Sequence, residues 1–144
     1  MLKQYLPGLA LSLLTLSGPL HADSGASGRE IEFLSPSRNI YCTSWQNRAA
    51  VSCLAVQHSQ AASGRPASCD LDWTPTVELG GRGAAKRSGL CHGDLPYNPD
   101  AGVLAYGQTV QGRDWRCLVA ENGVRCENAS GRGFHLNRTS RQLF

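Results

Sequence analysis

The chain has 144 residues, a formal net charge of +3, 41% hydrophobic and 17% charged residues, and only 7% aromatic residues. Such a small charge gives no reason to expect nucleic acid or an acidic membrane as the partner, and the length fits one domain. Six cysteines, at 42, 53, 69, 91, 117 and 126, are an even set.

Residues 1–22, MLKQYLPGLALSLLTLSGPLHA, place one lysine before a short apolar stretch and end on Ala22 before Asp23, the pattern of a secretory signal peptide. Pro7, Gly8, Gly18 and Pro19 interrupt the apolar run, which is too short to span a bilayer, so no membrane span is expected after cleavage. Residues 23–29 read as a flexible polar leader and 30–144 as one β domain. From there apolar and β-branched residues recur in short alternating runs, bounded by Gly, Pro, Asn and Ser, with no sustained helical period. The expected strands are 30–34, 39–45, 50–56, 68–73, 103–111, 114–120, 124–128 and 133–137. Stretches 57–67 and 79–89 read as exposed loops. The fold class is therefore all-β, a single small disulfide-stapled domain of antiparallel hairpins, sandwich or barrel-like.

In an exported chain six cysteines imply three disulfides, hence a periplasmic or secreted protein. No two cysteines stand two to four residues apart, which removes a zinc knuckle and a C-x-x-C redox pair. Strand geometry supplies the pairing. Setting Cys117 opposite Cys126 pairs Leu118 with Arg125 and Val119 with Val124, with a four-residue loop ending on Gly123. Facing cysteines in a non-hydrogen-bonded antiparallel pair come within disulfide reach, and Trp115, Val119 and Val124 share their face. Cys42 and Cys53 repeat the pattern, pairing Ser44 with Val51 and Trp45 with Ala50 around a turn at Asn47-Arg48. Elimination then leaves Cys69 with Cys91.

The segments FLSPSRNIYC (33–42), VSC (51–53), GVRCEN (123–128) and GRGFHLNRTSRQLF (131–144) resemble a family of small exported bacterial proteins, common in actinobacteria, defined only as a domain of unknown function. Its members look like F-x-S-P-S-G-N-I-x-C near the start, then G-V-x-C-x-N, G-H-G-F-x-x-S-R and a final L-F or V-F. The chain departs from it at Arg38, where glycine is usual, at Arg132, where histidine is, and at Asn137, where serine is. The resemblance implies a secreted, disulfide-bonded domain and carries over no catalytic residue. Within these motifs, Ser35-Pro36-Ser37 and Asn39 read as a turn capped by side chains, and Gly131-Arg132-Gly133 as a bulge or close backbone approach. Phe134 and Leu136 are expected to face the core, with Leu143-Phe144 as an apolar plug.

Candidate chemistry is sparse. His92 precedes Asp94 by two residues, as a general base and its orienter would, but no G-x-S-x-G elbow supplies a nucleophile. His58, His92 and His135 with Asp70 or Asp72 would need tertiary convergence to hold zinc, and Asp70 and Asp72 read as a solvated face. No cofactor or metal is expected. Arg125, Arg132, Arg138 and Arg141 are the candidate binding surface, a basic patch suited to an extracytoplasmic protein or polysaccharide. The favoured expectation is an exported binding module without enzymatic activity, of the inhibitor or immunity type. The alternative is a small hydrolase using His92 and Asp94 or a metal.

Overall fold

The computed structural model describes residues 29–59 and 63–144; the expected signal peptide, and all of the leader but Arg29, lie outside the described residues. Among the described residues no helix forms, so none is long and apolar enough to cross a membrane. Ten strands make two antiparallel sheets, each a meander with its strands side by side in chain order. The first holds β1 (Glu32–Leu34), β2 (Ile40–Trp45), β3 (Ala50–Ala55), β4 (Asp72–Gly80) and β5 (Lys86–His92). The second holds β6 (Thr109–Gln111), β7 (Trp115–Ala120), β8 (Gly123–Asn128), β9 (Gly133–Leu136) and β10 (Arg141–Leu143).

Alternation decides which face of each sheet is buried. On β7, Trp115, Cys117 and Val119 point inward and Arg116 and Leu118 outward. Inward residues of both sheets merge into one core, where Val51, Cys53, Val77 and Leu79 meet Trp115, Cys117, Val119, Val124 and Phe134. The hairpin registers are those expected: Cys42 faces Cys53, with Ser44 on Val51, and Cys117 faces Cys126, with Leu118 on Arg125. All three disulfides form as expected, with Cα separations of 4.1 Å for Cys42–Cys53, 4.0 Å for Cys117–Cys126 and 5.8 Å for Cys69–Cys91.

Several boundaries differ from expectation. Pairing in the second hairpin continues to Ala120 and Gly123, so its loop is the two residues Glu121-Asn122 rather than four. Gly123 has φ 132°, and a β-carbon there would run into the Leu136 carbonyl of β9. The run at 68–73 starts too early, and the supposed loop 79–89 holds the end of β4 and most of β5. β5 escapes notice because KRSGLCH is polar and lies at a sheet edge, with Lys86, Arg87 and Ser88 all exposed. Pro75 sits inside β4 where pairing with β3 has already stopped at Thr76, so its missing N–H costs no ladder bond on that side. Only 109–111 of the expected strand 103–111 is in the second sheet. A turn at Tyr106-Gly107, with Gly107 at φ 88°, separates it from Val103, which instead bridges Leu34 of β1. The chain's last residues form a strand as well as an apolar contact, since Leu143 pairs with Phe134.

The two ends of the sandwich differ. At one end the turns 46–49, 81–85, 112–114 and 129–132 are bolted together. Gln46, Asn47 and Arg48 all have positive φ, and the Glu30 carboxylate accepts the amides of Asn47 (3.0 Å) and Arg48 (3.2 Å) and the Ser44 hydroxyl (2.6 Å). The Ser44 hydrogen bond, aided by those amides, holds Glu30 below the usual carboxylate value. From the other sheet, Trp115 Nε1 donates to the Arg48 carbonyl at 2.8 Å. Asn128, only 7% exposed, ties the sheets again: its Nδ2 donates to the carbonyls of Gly80 (3.0 Å) and Gly83 (2.8 Å), and its Oδ1 accepts from the amides of Ser130 (3.0 Å) and Arg132 (3.1 Å). The backbone approach expected around Gly131 to Gly133 is present, since a β-carbon on Gly133 would strike the Cys126 carbonyl.

Two outcomes follow from this packing. Cys42, Cys53, Cys117 and Cys126 are wholly buried while Cys91 is exposed, and a reductant opens what it can reach. In native buffer a mild phosphine should therefore open Cys69–Cys91 first, giving two alkylated thiols by mass spectrometry; early labelling of Cys117 or Cys126 would contradict the packing. Asn128→Ala removes four hydrogen bonds from a partly buried junction and should cost about 2–4 kcal/mol in urea unfolding.

Candidate functional site

The loops 35–39, 56–59, 93–108, 121–122 and 137–140 gather at the other end of the sandwich, where a cleft of about 720 Å³ opens. Its frame is built from side chains that act as extra backbone. The Ser35 amide donates to the Ile40 carbonyl (2.9 Å), and Ser35 Oγ accepts the Ile40 amide (3.1 Å), closing the turn that Pro36 starts. Arg38 takes φ 60° in that turn, and its Nη2 donates to the Pro99 carbonyl at 2.6 Å. The Asn39 amide pairs with Gln57, donating to its carbonyl (3.0 Å) and accepting from its N–H (2.7 Å). Across the cleft, Asn137 Oδ1 accepts the amides of Thr139 and Ser140, each at 2.9 Å, fixing the β9–β10 turn.

On this committed frame stands a rim of uncommitted groups. Arg138, Tyr106, Glu121 and the Asn122 side chain line the cleft, and none hydrogen-bonds another side chain or backbone group of the described residues through its own side chain. Tyr106 is 47% exposed, an amphipathic ring on an open edge. With Arg38 and Arg138 against Glu121, the lining carries a net charge of +1. Rigid walls with free donors and an aromatic edge suit recognition of a polar, anion-bearing group.

The four arginines of the expected basic patch do not form one surface. Arg132 and Arg138 flank β9 at opposite ends of the sandwich. Arg125 lies on the outer face of the second sheet, stacked 3.9 Å over the Phe144 ring and 3.4 Å from Glu127. Arg141 is buried at 7% exposure, because its guanidinium bridges the sheets, donating through Nη1 to the carbonyls of Thr76 (2.9 Å) and Ser88 (3.2 Å) and through Nη2 to Ser63 Oγ (2.8 Å). Burial, with Arg87 nearby, lowers its pKa from the usual arginine value. Only Arg138 of the four combines exposure with a place in the cleft.

His92 turns away from Asp94. Its Nε2 lies 2.8 Å from the buried Thr74 hydroxyl and its Nδ1 3.2 Å from the Gly93 carbonyl, which occupies both ring nitrogens. His135 sits on the second sheet between Arg125 and Gln142 in register, and Asp70 and Asp72 are exposed. Among the described residues no three His, Cys, Asp or Glu side chains stand together as metal ligands would. His58 does approach His92 and Arg141. Its Nδ1 is buried without a hydrogen-bond partner among the described residues, and burial first, then the charges of Arg141 and His92, lower its pKa.

The sequence profile of a family of unknown function (DUF6636) matches residues 10–144, and the chain belongs to that family. No curated protein and no solved structure matches it. The chain's three disulfides suggest an oxidising, extracytoplasmic setting.

His58 also sets a pH dependence. A base whose folded pKa is depressed binds fewer protons folded than unfolded, so stability is complete above the ordinary histidine value of 6.5 and declines as the pH falls below it. The urea midpoint should drop between pH 7.5 and pH 5, and His58→Gln should drop less over the same interval; an identical fall in both proteins would remove His58 from the account.

Proposed function

We propose that this member of a family of unknown function is a small exported binding module, periplasmic or secreted from a bacterium, that works by contact rather than turnover. The open-end cleft is its contact site and an anionic group of an extracytoplasmic protein or polysaccharide its target. One observation carries the reading: the polar groups that shape the cleft are spent on the protein itself, while Arg138, Tyr106 and Asn122 on its rim are not. Free guanidinium donors in a fork fit a carboxylate, and a tyrosine edge adds contact area at low entropic cost.

A scaffold of this kind suits an inhibitor or immunity-type protein. Holding five loops on two bridged hairpins lowers the ordering cost of presenting a fixed surface, which is where rigid binders gain affinity. Hydrolysis draws no support from His92, whose ring nitrogens are engaged with Thr74 and Gly93.

Affinity capture from periplasm or culture fluid, with the oxidised domain as bait, tests this. Arg138→Glu and Tyr106→Ala should each lower capture of the recovered partner about tenfold, near 1.4 kcal/mol, with the unfolding midpoint unchanged. Asp94→Ala should leave capture untouched. Turnover of a peptidoglycan, ester or peptide substrate that disappears in His92→Ala would replace the binding reading with an enzymatic one.

A further inference from the structure

The outer face of the first sheet is only partly covered. Leu34, Tyr41 and Leu54 lie under Ala101, with Leu95 and Tyr97 packed alongside, as the 93–108 segment crosses β1 to β3. Beside that roof a groove of about 300 Å³ stays open, walled by Tyr41, Trp45, Leu54, Leu90 and Pro96. Its volume is at the lower limit of small-molecule sites, enough for one small group.

Thr43, Ser52 and Glu78 interrupt the apolar lining, and of these only Glu78 carries a charge. Glu78 is half-buried in the groove and makes no hydrogen bond or ion pair with the described residues. Lys86 is its register partner on β5, but it is exposed and no ion pair forms between them within 4.0 Å. The cross-strand row that holds Glu78 runs through Ser52 and Thr43 to Glu32. Glu32 is pinned at that end, accepting the Tyr41 hydroxyl at 3.0 Å and the Asn98 amide at 2.9 Å. A carboxylate left half-buried beside aromatic rings is costly unless a cation meets it. Tyrosine and tryptophan faces add their own attraction for such a cation.

We propose that this groove is a binding site for a small quaternary ammonium group, separate from the open-end cleft. Glu78 supplies the countercharge and Trp45 and Tyr41 the aromatic walls. A primary ammonium brings three N–H donors that need acceptors, and beside Glu78 the groove offers only the hydroxyls of Thr43, Ser52 and Tyr41, the last already bound to Glu32. A quaternary group brings none, and its methyls fit against Leu54, Leu90 and Pro96.

The test uses choline, its neutral carbon isostere 3,3-dimethylbutan-1-ol, and butylammonium, titrated into the oxidised, folded protein and followed by tryptophan emission and ligand-observed NMR. Choline should bind saturably and at least about tenfold more tightly than either of the others. Glu78→Gln should weaken choline about tenfold, and Trp45→Phe less, while Arg138→Glu at the cleft changes nothing. The comparison of choline with its isostere needs no variant, so it stands even if Glu78→Gln folds poorly. No saturable choline binding, equal binding of the isostere, tighter binding of butylammonium, or loss of binding in Arg138→Glu would each overturn the assignment.

Discussion

Two cystines, one in each sheet and both in a single core, are the constraint on which the rest of the structure depends. Cys42–Cys53 joins the central strands of the first meander and Cys117–Cys126 those of the second, and all four side chains belong to one apolar cluster. Each bridge spans a non-hydrogen-bonded pair, where the register already brings the strands closest, so the crosslink and the ladder specify the same alignment. A slip of one residue on any of these strands would turn a cysteine to solvent. In a domain with 7% aromatic residues, this replaces part of what a bulkier core would do.

With the registers fixed, the two ends take different roles. One is closed by hydrogen bonds that cross between sheets, from Trp115 to the Arg48 carbonyl and from Asn128 to Gly80 and Gly83. The other holds five loops whose hydrogen bonds stiffen single turns, as Asn137 does for 139–140, or join one loop to the next, as Asn39 does to 57 and Arg38 to 99, around a cleft that stays open. Single segments serve both ends: GVRCEN supplies Asn128 to the closed end, Cys126 to the core and Gly123 to the cleft lining, while SPSRN supplies a wall of the cleft. The side chains of both Asn128 and Asn137 are spent on backbone hydrogen bonds.

Much of the frame was legible because it rests on local rules. Two cysteines placed symmetrically about a turn state their own register, and the burial of Phe134 and Leu136 followed from alternation alone. What escaped was set by tertiary context. β5 is polar because it is an edge strand, and β4 tolerates Pro75 because its pairing with β3 stops at Thr76. Arg141 looks like its exposed neighbours in the sequence, but two strand carbonyls from the other sheet draw it inward. The cleft had no linear signature, since its lining comes from six separate stretches, among them the 35–39 turn in which Arg38 takes φ 60°.

The claim that both locked hairpins form one core, not two independent sheets, is tested most directly by native-state hydrogen exchange on the oxidised protein. The slowest amides should lie in β2, β3, β7 and β8, with the same opening free energy in both sheets and the same denaturant dependence as global unfolding. Core amides of one sheet exchanging at a distinctly lower free energy than those of the other would show that the sheets open separately, and would contradict the account.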